Sequence, residues 1–356
     1  MILLDVTFKV VSTGTAFCFV SVPPNKKIRF FICPQAAKHF IFAAKPKDSP
    51  FKSLDEVVVN HSLLMRYKYI VSLILASFSF SLVVSSQPVR EPSQRPADWT
   101  RATEPFRIAG NLYYVGTYDL ACYLITTKDG HILINTGLAS SGTMIQASLQ
   151  KLGFRYKDIK ILLTTQAHYD HLGAMTDIRA ATHAKLMANS AELGVLSDGG
   201  RSDYEMGGDT SAFKPVKVDR LLHDMDTVSL GGTHLVMLHH PGHTKGSSSF
   251  LVDIKDGQKT WRVLIANMPT IINDRRFSEV QTYPEIAADF GRTISAMKGL
   301  QFDLWVASHA SQFNMHEKHH AGDAYRPQAF ADRKGYDEYM AELEENYSKK
   351  LSEEKK

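Results

Sequence analysis

Past residue 105 the chain alternates short β-type apolar runs with stretches of helical period. Residues 106–115, 121–127 and 131–135 are apolar runs parted by Gly/Asp turns, which predict the meander of one sheet. Gly137 breaks the pattern. Ser140 or Ser141 can then cap a helix whose apolar face is Met144, Ile145, Leu149 and Leu152, ending at Gly153. A further β-type run, 161–165, ends in Gln166, His168, Asp170 and His171, and 175–189 reads as a helix.

Residues 197–213 form a long Gly/Asp/Ser-rich loop containing Asp203-Tyr204-Glu205-Met206-Gly207. The stretch 227–238 is a β-type pair around Gly231-Gly232, and 250–254 and 261–266 are strands. A helix over 284–297, a strand over 304–307 ending near His309 and a charged helix over 336–355 complete the chain. Strands lead and helices recur, so the fold class is α/β.

The N-terminal third reads differently. Met65 opens a segment with two positive charges, an apolar centre over 70–84 and small residues at its end, the pattern of a secretory signal peptide over 65–86. Its centre is short for a membrane span, which needs about 20 apolar residues. A signal works from a chain start, so translation is expected to begin at Met65, with residues 1–64 an upstream extension of the reading frame. A Pro-rich arm (Pro88, Pro92, Pro96) then leads into the domain over 87–356.

Charge adds one exclusion. Of 41 basic and 37 acidic side chains, ten and four lie in residues 1–86, so the remainder carries 31 and 33. No basic excess argues for nucleic acid as a partner. Cys18, Cys33 and Cys122 are the cysteines, and only the last lies beyond residue 86, so the domain rests on its core and on metal rather than on disulfides.

The chemistry gathers at the end of the 161–165 run. Gln166, His168 and Asp170 alternate, so extended backbone points them one way, while His171 faces elsewhere. Imidazole and carboxylate are both zinc donors. Histidine recurs past strand ends at 243 and 309, and strands that deliver imidazoles to one sheet edge build a metal site.

Thr165-Gln-Ala-His-Tyr-Asp-His171-Leu-Gly173, with Pro241-Gly-His-Thr-Lys-Gly-Ser247, resembles the metallo-β-lactamase superfamily, and within it the third zinc subclass in its GOB-type branch, with Gln in place of the first His. The resemblance implies an αββα sandwich of two mixed β-sheets flanked by helices. It implies one zinc on Asp170, His171 and His243, and an altered first site on Gln166, His168 and Glu205. It implies β-lactam hydrolysis by attack of zinc-bound hydroxide, with Asp170 orienting the nucleophile; the signal segment over 65–86 adds the expectation of a periplasmic enzyme that is not inserted in the membrane once the signal is cleaved. Thr270 falls where a hydroxyl would meet the substrate carboxylate, and Met268, which is Cys or Ser in relatives, reads as pocket lining. Asn135 stands where Asp is usual.

Two alternatives remain: a hydrolase of the same fold acting on another ester, lactone, thioester or phosphodiester, and a zinc-binding export protein without turnover. His316-Glu-Lys-His-His320 matches H-E-x-x-H, but Gly322 and Pro327 follow too closely for a long helix, so it reads as a solvated loop. His309 reads as a core histidine near the site.

Overall fold

The structure, a computed structural model, describes residues 5–11, 15–22, 26–29, 89–272 and 274–354. The chain divides into two compact units, Met1–Ser85 and Ser86–Lys356. In the first, β1 (Asp5–Val11), β2 (Thr15–Val22) and β3 (Lys26–Arg29) pair antiparallel in that order. The expected signal segment, 65–86, lies outside the described residues, as does everything from 30 to 64.

The second unit opens with an antiparallel meander of β4 (Phe106–Ala109), β5 (Leu112–Tyr114), β6 (Tyr123–Thr127) and β7 (Gly130–Ile134). Helix α1 (Ser141–Lys151) crosses back to β8 (Ile159–Leu163), which lies parallel to β7. After α2 (Tyr169–Leu172) and α3 (Met175–Thr182), β9 (Lys185–Asn189) adds parallel to β8. Helix α4 (Leu193–Asp198) precedes β10 (Arg220–Leu222), the last strand of a seven-stranded sheet ordered β10-β9-β8-β7-β6-β5-β4.

The other sheet has five strands in chain order: β11 (Thr227–Leu230), β12 (Thr233–His239), β13 (Ser248–Asp256), β14 (Lys259–Ala266) and β15 (Leu304–Ala307). Its first four are antiparallel. Helix α5 (Ile286–Lys298) brings β15 in parallel to β14. The short α6 (Met315–Lys318) and long α7 (Arg333–Glu353) follow.

Alternation along the central strands fixes the layering. Ile132, Ile134, Ile161 and Leu163 point into the core shared with Phe250, Val252, Val263 and Ile265 of the second sheet. Leu133 and Leu162 point the other way, onto Ile145, Leu149, Met175 and Ile178 of α1 and α3. On the far side, Ile294 and Met297 of α5 pack with Tyr336, Met340 and Leu343 of α7 against Trp305. Helices, sheet, sheet, helices is the expected αββα sandwich of two mixed sheets.

One expected helix is not continuous. The stretch 175–189 splits into α3 and β9, because His183 adopts a left-handed conformation (φ 59°) that ends the helix, and Lys185 pairs with Ile161. Cys122 is buried as a free thiol.

Candidate metal centre

Parallel geometry brings the ends of β7, β8 and β9 to one edge of the first sheet. Two antiparallel pairings in succession make β12 parallel to β14, and β15 is parallel to β14 as well, so their ends share an edge too. The Ser248 N–H donates to the Thr165 carbonyl at 2.8 Å and the Ala121 N–H to the Ser308 carbonyl at 3.1 Å, joining the two edges.

Residues just beyond those ends carry the chemistry. Gln166 and His168 follow β8, α2 presents Asp170 and His171, the turn after β12 carries His243, and His309 follows β15. Gly242 has a φ of 133°, which side chains rarely adopt, and a Cβ there would lie 2.8 Å from the Phe290 ring. The His243 turn is thereby pressed onto α5.

Among the described residues, the donor atoms of Asp170, His171 and His309 all lie within 4.8 Å of one another. Asp170 Oδ2 is 3.2 Å from His171 Nε2 and 3.5 Å from His309 Nε2. Beside this group His168 and His243 meet edge to face, with ring centroids 5.0 Å apart. All but His309 are buried.

A second layer of contacts decides which imidazole nitrogen faces the centre. The His243 ring donates from Nδ1 to the Thr270 carbonyl at 2.7 Å, and a carbonyl can only accept, so Nε2 is left without a proton. His309 donates from Nδ1 to Asp119 at 3.0 Å, and Asp119 is held in turn by the Trp99 indole N–H at 3.1 Å and the Ser311 N–H at 2.9 Å. His168 Nε2 lies 3.4 Å from Asp203 Oδ2, while Oδ1 of Asp203 accepts from the Glu205 and Met206 N–H groups. Such outer partners orient metal-binding imidazoles.

The imidazoles at the centre are shifted in opposite directions. Burial alone would lower the His309 pKa, but Asp119 and Asp170 raise it to about 9. Burial would likewise raise Asp170, yet His171 and His309 hold it well below the carboxylate range. Burial pushes His243 down to about 3, so its ring stays neutral, the form that binds a metal.

A divalent cation fits these donors. Gln166 Oε1, Asp170 Oδ1, His168 Nε2 and both ring nitrogens of His171 are buried without a hydrogen-bond partner. Each unpaired buried polar atom costs about 1–3 kcal/mol, and a cluster of them marks a site where an ion supplies the missing interaction.

The expected residues are regrouped. His309, read above as a core histidine, stands with Asp170 and His171, whereas His243 stands with His168, because β15 ends beside α2 and β12 ends beside the 166–168 loop. Glu205, expected as a ligand, is instead ion-paired with Arg275, which also donates to the Tyr204 carbonyl. Its neighbour Asp203 turns inward. Thr270 places its carbonyl and its hydroxyl on His243 Nδ1. Met268, expected to line the pocket, packs in the core between the sheets.

Asn135 is buried with φ 62°, a conformation Asn tolerates better than most residues, and its Oδ1 accepts from the Thr165 N–H at 2.9 Å. His316 stacks on Tyr118 and bonds its carbonyl at 2.7 Å, so the H-E-x-x-H run does not converge on an ion. Asp119 and Asp203 escaped the sequence reading. Asp203 lies in the loop that carries Glu205, whereas Asp119 is far in sequence from every candidate ligand and carries no linear signal.

Residues 117–256 match the model of the metallo-beta-lactamase superfamily. The structure is similar to that of the metallo-beta-lactamase GOB-18 from Elizabethkingia meningoseptica, at 56% identity over 75% of this chain and 99% of that one, with a TM-score of 0.74. It is similar to the class B3 di-zinc metallo-beta-lactamase LRA-12 from an Alaskan soil metagenome, at 62% identity over 74% of this chain and 100% of that one, with a TM-score of 0.73. A curated relative, the uncharacterized Bacillus subtilis protein YobT, is 29% identical over 158 residues, covering 41% of this chain and 61% of its own length. The chain thus spans less than two thirds of that relative.

Proposed function

The chain belongs to the metallo-β-lactamase superfamily, and from that premise we propose that it is a zinc-dependent hydrolase opening the β-lactam ring of penicillins, cephalosporins and carbapenems. The observation that carries the reading is the group of Asp170, His171 and His309, with donor atoms inside 4.8 Å, at the shared edge of two sheets, where Asp170 Oδ1 and both His171 ring nitrogens are buried without a hydrogen-bond partner.

We assign one zinc to Asp170, His171 and His309, and a second, weaker position to Gln166, His168 and His243. An amide oxygen is neutral and binds zinc less well than imidazole. Zinc held by these residues would supply Lewis acidity, activating water for attack and stabilising charge on the departing ring nitrogen.

The chain's own groups provide orientation. Asp170 stays ionised, and its Oδ1, with no protein partner, can accept a hydrogen bond from the attacking water. Asp119 and Thr270 hold His309 and His243 by Nδ1, so each ring can present only Nε2. Trp99, whose ring centroid is 5.7 Å from that of His309, packs beside that ring. Thr270 remains our candidate for the substrate carboxylate, a contact that requires its hydroxyl to turn from His243.

Among the described residues no helix is long and apolar enough to cross a membrane. We place the enzyme in the periplasm on the reading of 65–86 as a signal peptide and of 1–64 as an upstream extension, so N-terminal sequencing of exported protein should begin near Gln87. The activity is tested with a chromogenic cephalosporin before and after chelation. Hydrolysis that stops on chelation and returns with zinc supports the proposal. No hydrolysis by zinc-loaded protein, or hydrolysis indifferent to the chelator, overturns it.

A further inference from the structure

Glu192 is a fully buried carboxylate that the mechanism above does not use. It closes the short turn Ser190–Glu192 after β9, in the first sheet, yet its partners belong to the loop after β12 in the second. The Thr244 hydroxyl, one residue past His243, donates a hydrogen bond to Glu192 Oε1. That hydroxyl also sits 2.8 Å from the Ser247 hydroxyl, which accepts from the Thr244 N–H at 2.9 Å, so the loop is knotted around one contact.

Gly246 completes the grip. A Cβ at that position would run into the Glu192 side chain, so the backbone lies directly against the carboxylate's stem. Two residues before Ser248, the glycine is needed for close approach rather than for an unusual φ. A parallel tie comes from Asn189, whose amide donates to the Ser248 hydroxyl at 3.1 Å while its Oδ1 accepts from the Ala191 N–H. The His243 loop is thereby tied at two points to the end of β9, in the sheet whose β8 leads into His168, and the two histidines meet at 5.0 Å.

We infer that Glu192 is a positioning residue that sets the span between His168 and His243 by clamping the His243 turn, through the Thr244 hydroxyl and the Gly246 backbone, onto the end of β9. The inference rests on the assignment of Gln166, His168 and His243 as one zinc position. With an amide as one of its three donors, that position gains little from chemistry and depends on the other two being held at the right separation. Outer groups that orient ligands are worth about 10–100-fold in metal affinity.

The test is zinc affinity, measured by competition with a chromogenic chelator on the full domain, for Glu192→Ala, Glu192→Gln, Thr244→Val, the Ala/Val double variant and His243→Ala. We expect Glu192→Ala and Thr244→Val each to weaken the looser zinc by tenfold or more. Glu192→Gln, which keeps Oε1 as an acceptor, should restore most of that loss. The double variant should lose no more than the worse single one, since both break one contact. Thr244→Val is nearly isosteric and leaves no cavity, so it decides the matter if Glu192→Ala does not fold. A folded Thr244→Val protein with affinity within twofold of the parent, or losses that simply add, overturns the clamp. If His243→Ala itself binds zinc as the parent does, the ligand assignment fails instead.

Discussion

The Nδ1–H of His243 donates to the Thr270 carbonyl at 2.7 Å, tying the turn after β12 to the loop after β14. Because a main-chain carbonyl cannot donate, this one contact selects the imidazole tautomer and the nitrogen that remains available. Thr270 thus acts through its backbone, and a side-chain replacement there leaves the constraint in place.

Replacement of His309 by Ala should remove zinc and lower kcat/KM by about a hundredfold or more, since it takes a donor from the tight group. Glu205→Ala, by contrast, should leave zinc content unchanged, because that carboxylate is occupied by Arg275. Metal analysis of the two purified variants separates these roles, and zinc loss from the Glu205 variant alone would return that residue to the ligand set.

Asp119→Asn tests the layer behind the ligands. The carboxylate holds His309 Nδ1 at 3.0 Å, so its neutralisation should weaken zinc binding by about 10–100-fold. Zinc competition measured beside thermal melts is the check. Unaltered affinity in a folded variant would show that His309 needs no anchor.

His240 gives a pH dependence away from the ligand groups. It is buried against the Ser249 hydroxyl, and burial pushes its pKa down from 6.5 to about 4. Above pH 6.5 the ring is neutral in both folded and unfolded chains and contributes no pH dependence. As pH falls from 6.5 to 4 the unfolded chain takes up a proton that the folded one refuses, a loss of roughly 3 kcal/mol. Urea titrations of zinc-stripped protein at pH 7 and pH 4 should show a larger drop for the parent than for His240→Asn. Equal drops would assign the acid sensitivity elsewhere.

Gly242→Ala should destabilise the fold by about 2 kcal/mol or more, since it adds strain at φ 133° to an overlap with Phe290. It should also weaken zinc binding, because the turn that yields is the one bearing His243. Denaturant melts with and without zinc read both effects, and a variant as stable as the parent would mean that the α5 contact is easily displaced.

Much of this architecture is written in periodicity. The apolar run before Gln166 reads as a strand, 304–307 coincides with β15, and the alternation of Ile132, Leu133 and Ile134 becomes the two cores. The stretch 185–189 escaped because no Gly or Pro separates it from α3. The break is His183 in a left-handed conformation that side chains seldom adopt.

The site was legible as residue types and obscure as geometry. Asp170 and His171 stand out by spacing and His243 by the Pro241-Gly242 turn before it, but which histidine joins which carboxylate depends on where β12 and β15 end in space. Within Asp-Tyr-Glu-Met-Gly the choice between Asp203 and Glu205 is settled by a turn in which Asp203 caps the next two N–H groups while its other oxygen faces His168. Linear order holds no trace of that rotation.

The buried donor atoms of Gln166, His168, Asp170 and His171 have a consequence for the lifetime of the molecule as well as for its chemistry. An ion that binds only the native chain adds about 1.4 kcal/mol of stability for each tenfold rise in its free concentration above Kd. Persistence against unfolding and proteolysis then tracks the zinc supply of the surroundings, so a scarcity of zinc would thin the population of enzyme as well as silence it.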